Sequence, residues 1–147
     1  MTLCQVEHNK KIIQRYFEAY NDKAEAIFDE IIASDYVDHG EFAYMGFPGI
    51  GVSGAKNDLR NSLDKFEDFN YVIEDLIGSE AYPDLVDTYW KGTLTPKAAS
   101  SGVEHLNNTI NYRGVSIYRF QNGKMTETWH VVDGFPLKYR GEMHSRM

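Results

Sequence analysis

The sequence predicts an α+β domain, with three N-terminal helices packed on a strongly curved antiparallel sheet that encloses a pocket. Three observations predict it. Apolar residues recur at helical spacing through about residue 67, and the period changes to that of strands from Phe69 onward. The strand half contains Asn122-Gly123 between two runs rich in β-branched and aromatic residues, the strongest short hairpin signal. Helices first and strands later is the order of a domain whose helices cover one face of a sheet. A curved sheet covered in this way leaves a cavity between its concave face and the helices.

The elements follow in order. Residues 6–21 read as an amphipathic helix, with Ile12, Ile13, Tyr16, Phe17 and Tyr20 on one face and Lys10, Lys11, Gln14, Arg15 and Glu18 opposite. Asn21-Asp22 stops it. A shorter helix spans about 24–33 and turns Ile27, Phe28, Ile31 and Ile32 inward. The chain then runs extended through Asp38-His39. Residues 40–54 hold five glycines among apolar residues, a loop suited to a pocket mouth. Ser53 is positioned to cap a helix of about 54–67 with Leu59, Leu63 and Phe66 on its stripe. Phe69–Ile77, Leu85–Leu94, Asn107–Gln121 and Lys124–Asp133 read as strands, with a polar loop at 95–106 and a polar tail from Pro136.

In the hairpin, Gln121 is expected opposite Lys124, Phe120 opposite Met125, Tyr118 opposite Glu127, Ser116 opposite Trp129 and Tyr112 opposite Asp133. One face then carries Tyr112, Tyr118, Phe120, Met125, Trp129, Val131 and Asp133, an aromatic wall with an acid near its end. The other carries Arg113, Val115, Ile117, Arg119, Thr128 and His130. A one-residue slip would scramble the cross-strand pairs and still leave Trp129 and Asp133 sharing a face. His130 on the second face and His105 in the polar loop read as bystanders.

The totals exclude several classes. With 147 residues the chain is read as one domain, core about 6–135. A net charge of −7 argues against nucleic acid and anionic membranes as partners. One cysteine, Cys4, cannot staple a fold or build a thiolate metal site, and suits a reducing, cytoplasmic compartment. No apolar run approaches a membrane span. His, Asp and Glu show no metal-ligand spacing, and no phosphate loop or GxSxG elbow is present, so neither metal nor cofactor is expected.

Asn9–Tyr20 (NKKIIQRYFEAY), Asp35–His39 (DYVDH), Val52–Leu63, Gly114–Phe120 followed by NGKMTE, and Trp129–Asp133 (WHVVD) occur in the order and spacing of a known family. The chain resembles the SnoaL-like polyketide cyclases, within the nuclear-transport-factor-like cone fold. The resemblance implies a curved sheet and helices around a blind pocket, paired as a homodimer through the sheet. It also implies an acid/base aspartate at Asp133 and a pocket histidine at His39. The segment TPKAASSGVEHLNN departs from the Gly/Pro-rich stretch common in the family. Asp133 is thus expected as catalytic base and His39 as its partner, with Trp129, Tyr16, Tyr20, Tyr118, Tyr112 and Trp90 lining the substrate site. The expected activity is cofactor-free proton transfer on a hydrophobic carbonyl compound, with intramolecular aldol cyclisation as the specific form. The alternative is a non-catalytic small-molecule binding domain of the same fold. An apolar hairpin face with Val115, Ile117, Thr128 and Val132, left without a helix to cover it, independently suggests a homodimer.

Overall fold

The computed structural model describes residues 2–40, 49–97 and 109–134. Most of the loops expected at 40–54 and 95–106, His105 included, and the tail from Pro136 lie outside the described residues.

Helix α1 (Thr2–Asn21) begins earlier than its periodicity marks, and it buries Val6, Ile12, Ile13, Phe17 and Ala19. The expected second helix is shorter than its apolar spacing suggests. It consists of a 3-10 turn (Glu25–Ile27) and a single turn, α2 (Phe28–Ile31), after which the chain enters strand β1 (Ile32–Asp38). The β-branched pair Ile31-Ile32 is buried on both sides of this switch, which suits a change from helix to strand. Ser53 is not the cap of the third helix. Helix α3 (Gly51–Lys65) opens two residues earlier, where Gly51 has φ +69° and a side chain would meet the Ser34 carbonyl at 3.0 Å.

Strands β3 (Phe66–Ser79), β4 (Tyr82–Pro96), β5 (Ile110–Gln121) and β6 (Lys124–Asp133) form an antiparallel meander, as expected. The sheet has two further strands, so its order is β2-β1-β6-β5-β4-β3, with β2 being Gly49–Ile50. Strand β1 runs parallel to β6, which corrects the expectation of a wholly antiparallel sheet. Helix α1 lies against β3 and β4, and α3 lies against β1. Val86, Trp90, Leu94, Tyr118, Phe120 and Met125 point from the sheet into this helix-covered core. Among the described residues, no helix is long and apolar enough to cross a membrane.

The hairpin turns at Asn122-Gly123 with φ +53° and +77°, and Gln121 pairs with Lys124 as the type I′ geometry demands. Phe120 pairs with Met125, again as expected. The next pair is Arg119 with Glu127, so Thr126 is an extra residue on β6, a β-bulge. Met125 and Thr126 are buried side by side, and the Thr126 hydroxyl donates to the Arg119 carbonyl at 3.3 Å. Every later residue of β6 is thereby turned over. Tyr118 pairs with Thr128, Ser116 with His130 and Arg113 with Asp133. Thr128, His130 and Val132 face the helices, while Glu127, Trp129, Val131 and Asp133 face away from them. The expected faces of β6 beyond the bulge are therefore exchanged. Trp129 and Asp133 do share a face, but it is the outer one.

Candidate functional site: an inward cluster of Asp38, Asp58 and His130

Strand alternation fixes the first member. Tyr36 is buried and donates its hydroxyl hydrogen to Thr128 Oγ1 at 2.8 Å, so Asp38, two residues on, faces the same inner side. Asp38 Oδ1 accepts the Gly40 N–H at 2.8 Å. A Cβ on Gly40 would lie 2.9 Å from Asp38 Oδ1 and 3.2 Å from His130 Cδ2, so glycine lets the backbone close against this pair. The bulge at Thr126 supplies the second member by turning His130 inward. Its Nε2 lies 3.5 Å from Asp38 Oδ1, an ion-pair distance, and its Nδ1 lies 2.6 Å from Ser116 Oγ. The third member, Asp58, sits one residue before Leu59 on the inner stripe of α3. A Cβ on Gly49 would meet Asp38 Cβ at 3.3 Å and Asp58 Oδ2 at 3.7 Å, so both acids flank that glycine.

Their proton affinities follow from burial and mutual charge. Burial pushes the Asp58 carboxyl up, the Asp38 charge adds to this, and His130 offsets part of it, leaving Asp58 at about 7. Burial acts the same way on Asp38, but His130, the Gly40 N–H and His39 outweigh it and hold Asp38 below its ordinary value. Burial disfavours the charged form of His130, yet Asp38 and then Asp58 overcome it and raise its value above 6.5. Near neutral pH the cluster therefore holds an ionised Asp38, a His130 whose charged form the two acids favour, and an Asp58 poised to give or take a proton. Burial also raises the hydroxyls of Tyr16, Tyr20, Tyr36 and Tyr118, which remain neutral hydrogen-bond donors.

Asp38, His130 and Ser116 lie in the order of a serine-nucleophile triad, but Ser116 is fully buried and its Oγ also accepts Trp90 Nε1–H at 2.8 Å. A hydroxyl sealed in this way cannot reach a substrate carbonyl. Among the described residues no group of acidic, histidine or cysteine side chains could hold a metal ion.

The residues expected from the sequence divide between the two faces. Tyr118 and Trp90 are buried on the inner face, and Tyr16 contacts Tyr118 edge-on at 6.2 Å between ring centroids. Tyr20 bonds Ser62 Oγ at 2.6 Å, and Tyr112 donates to the Tyr71 hydroxyl at 2.8 Å. Trp129, His39 and Asp133 are outside. His39 stacks on Trp129 at 5.1 Å and bonds Glu127 Oε2 at 3.0 Å. Asp133 is 72% exposed and pairs with Arg113 at 3.0 Å. Four residue steps along the strand separate Trp129 from Asp133, roughly 13 Å, so His39 and Asp133 share a face without meeting.

Sequence reasoning missed Asp38, Asp58 and His130. Asp38 was within reach, since alternation from Tyr36 puts Asp38 inside and His39 outside. Asp58 was too, lying at helical spacing from the buried Ala55 and Ser62. His130 had no signal, because nothing in TETWHVVD marks a bulge at its first threonine.

The model of the SnoaL-like polyketide cyclase domain matches residues 10–139. The chain belongs to the SnoaL-like polyketide cyclase family. Solved structures agree with this fold. AclR from Streptomyces galilaeus matches with 20% identity over 93% of this chain and 87% of its own, at a TM-score of 0.71. A SnoaL-like polyketide cyclase from Agrobacterium tumefaciens matches with 17% identity over 90% and 96%, at a TM-score of 0.70. TsrD from Streptomyces laurentii matches with 14% identity over 93% and 95%, at a TM-score of 0.71. No curated protein matches the chain. At these identities the SnoaL-like neighbours establish the architecture and leave the chemistry to the side chains.

Proposed function

We propose that this SnoaL-like domain is a cofactor-independent acid/base enzyme acting on a hydrophobic carbonyl compound, by intramolecular aldol cyclisation or a related proton transfer. The observation that carries this reading is the meeting of Asp38, Asp58 and His130 from β1, α3 and β6 with their proton affinities pushed apart. Asp58, near 7, is matched to removing a proton from carbon beside a carbonyl. The enolate oxygen takes hydrogen bonds from His130 or a neutral tyrosine. The enolate carbon then attacks a second carbonyl of the same molecule, and the new alkoxide takes the proton back from Asp58. Asp38 stays ionised and holds the charge of His130. In this reading the base is Asp58 rather than Asp133, which is engaged with Arg113 in solvent.

The test is deuterium incorporation from heavy water beside the carbonyl, followed by proton NMR, across a panel of hydrophobic aryl ketones and keto esters. Exchange above the protein-free rate, lost in Asp58→Asn and His130→Gln, is the expected result. Exchange that both variants retain would overturn the reading. The outward Asp133 favours a second reading, a ligand-binding domain without turnover, and saturable binding without any exchange would select it.

The partner in this proposal is a second copy of the chain, and the reducing cytoplasm is its compartment. Val115, Ile117 and Val131 stand exposed on the outer face, between Arg113–Asp133 at one end and Arg119–Glu127 at the other. Two such faces related by a two-fold axis can cover the apolar strip and set opposite charges against each other. Thr128 and Val132, expected on this face, are replaced there by Trp129 and Val131. Sedimentation at tens of micromolar should give a dimer, and a monomer would reject this pairing.

A further inference from the structure

We infer that Trp90 and Ser116 fix the proton of neutral His130 on Nε2, so that this ring presents an N–H toward Asp38 in both of its charge states. The inference rests on the acid/base reading and divides its roles further: His130 is the standing donor, and the carboxylates are left as bases.

One buried hydroxyl sets which groups can donate and accept on the Nδ1 side of the ring. Ser116 is fully buried between Trp90 on β4 and His130 on β6. Trp90 Nε1–H can only donate, and at 2.8 Å it occupies one lone pair of Ser116 Oγ. One lone pair and the hydroxyl hydrogen of Ser116 remain, and a proton on His130 Nδ1 would leave Nε2 bare against Asp38 Oδ1 at 3.5 Å. The Ser116 hydrogen is then left for His130 Nδ1, 2.6 Å away. A ring nitrogen that accepts carries no proton, so the neutral ring holds its proton on Nε2.

The other side of the ring agrees. Nε2 faces Asp38 Oδ1 at 3.5 Å, and a bare nitrogen there would set a lone pair against a carboxylate. Among the described residues, Asp38 from β1 and Asp58 from α3 act on the ring, and the Tyr118 ring meets it edge-on with Tyr16 of α1 behind. Among these only the carboxylates call for a donor. Backbone geometry keeps Trp90 in place. A Cβ on Gly114 would lie 2.3 Å from Trp90 Cζ2, so the indole occupies space that only glycine leaves open.

His130 is therefore a donor on the Asp38 side whether neutral or charged. It can stabilise a developing oxyanion there, and it cannot collect a carbon-bound proton there. Trp90 and Ser116 are positioning residues, acting through His130 without touching substrate.

The test is the nitrogen-15 spectrum of histidine-labelled full-length protein, taken above the raised His130 value so that the ring is neutral. Comparison with His130→Gln identifies its signals among those of the five histidines. The expected wild-type pattern is a protonated Nε2 and an unprotonated, hydrogen-bonded Nδ1. Ser116→Ala should lose that single pattern and give a mixture of tautomers. Trp90→Phe keeps the hydroxyl but frees a lone pair on it, so it should also admit the tautomer with its proton on Nδ1, which serves if Ser116→Ala does not fold. A wild-type proton on Nδ1 would overturn the inference. So would a spectrum that both variants leave unchanged, because Asp38 alone would then set the tautomer. No turnover enters this measurement, so its failure is separable from failure of the acid/base reading, which the exchange assay decides.

Discussion

The two faces of the sheet each carry a histidine paired with a carboxylate, and the two pairs differ in what surrounds them. On the outer face His39 and Glu127 lie 3.0 Å apart, with side chains 37% and 34% exposed. On the inner face His130 and Asp38 lie 3.5 Å apart, with side chains 24% and 19% exposed. The shorter contact is the more solvated one. An exposed ion pair is worth roughly 0–1 kcal/mol, because water and salt screen it and two side chains must be held in place. The inner pair also faces Asp58, with less water to separate the three charges. Surroundings, more than distance, make the inner pair the one suited to moving protons.

The strongest way to break this distinction is to delete Thr126. Without the bulge, β6 would return Trp129, Val131 and Asp133 to the helix side and expel Thr128, His130 and Val132. An indole would be driven into a filled core, so the expected outcome is loss of the cooperative melt by circular dichroism. A folded deletion variant with an unchanged melting temperature would show that the bulge is not what selects the face.

Next in size is the effect on turnover once a substrate is found. Asp58→Asn and His130→Gln should each lower kcat by about 10²-fold or more, close to 3 kcal/mol in barrier. Asp133→Asn should stay within about threefold, since it loses only an exposed pair with Arg113. The reverse ranking would return the base to the outer face.

A pH series of melting temperatures sharpens the same contrast. Asp58 binds its proton more tightly folded than unfolded between 3.8 and about 7. His130 does so from 6.5 upward. In both windows the native state holds more protons, so stability falls as pH rises. Asp38 runs the other way: its contribution is present above 3.8 and is lost as pH falls through its lowered folded value. Asp58→Asn should raise the melting temperature by a few degrees above pH 7 and leave it unchanged below 3.8, where the acid is protonated in both states. An equal gain at both ends of the series would mean that the carboxyl is not titrating in this window.

The smallest expected effect belongs to the outer pair. His39→Gln with Glu127→Gln should show a coupling of less than about 1 kcal/mol in a double-mutant cycle by urea unfolding, shrinking further in high salt. A coupling of several kcal/mol would place the outer pair on a par with the inner one.

What the sequence determined by itself is local. The helical stripe of α1, the glycine-bearing turn at Asn122-Gly123 and the order of helices before strands all arise from neighbours a few residues apart. These contacts survive whatever the rest of the chain does. Even the pairing of Phe120 with Met125 is local, because the turn dictates it. The site is not local. Alternation states which residues of β6 share a face, but an inserted residue changes which face that is, and one buried threonine made the change here. Hydrophobicity argued for the wrong side, since Trp129 reads as a core residue. On the outer face His39 stacks on it and the Arg119 guanidinium sits 5.7 Å from its ring centre. The parallel pairing of β1 with β6 joins residues about 90 apart in the chain and brings Asp38 to His130. Proton affinities come last, because they depend on water excluded and charges assembled by the whole fold, and no stretch of sequence holds that information alone.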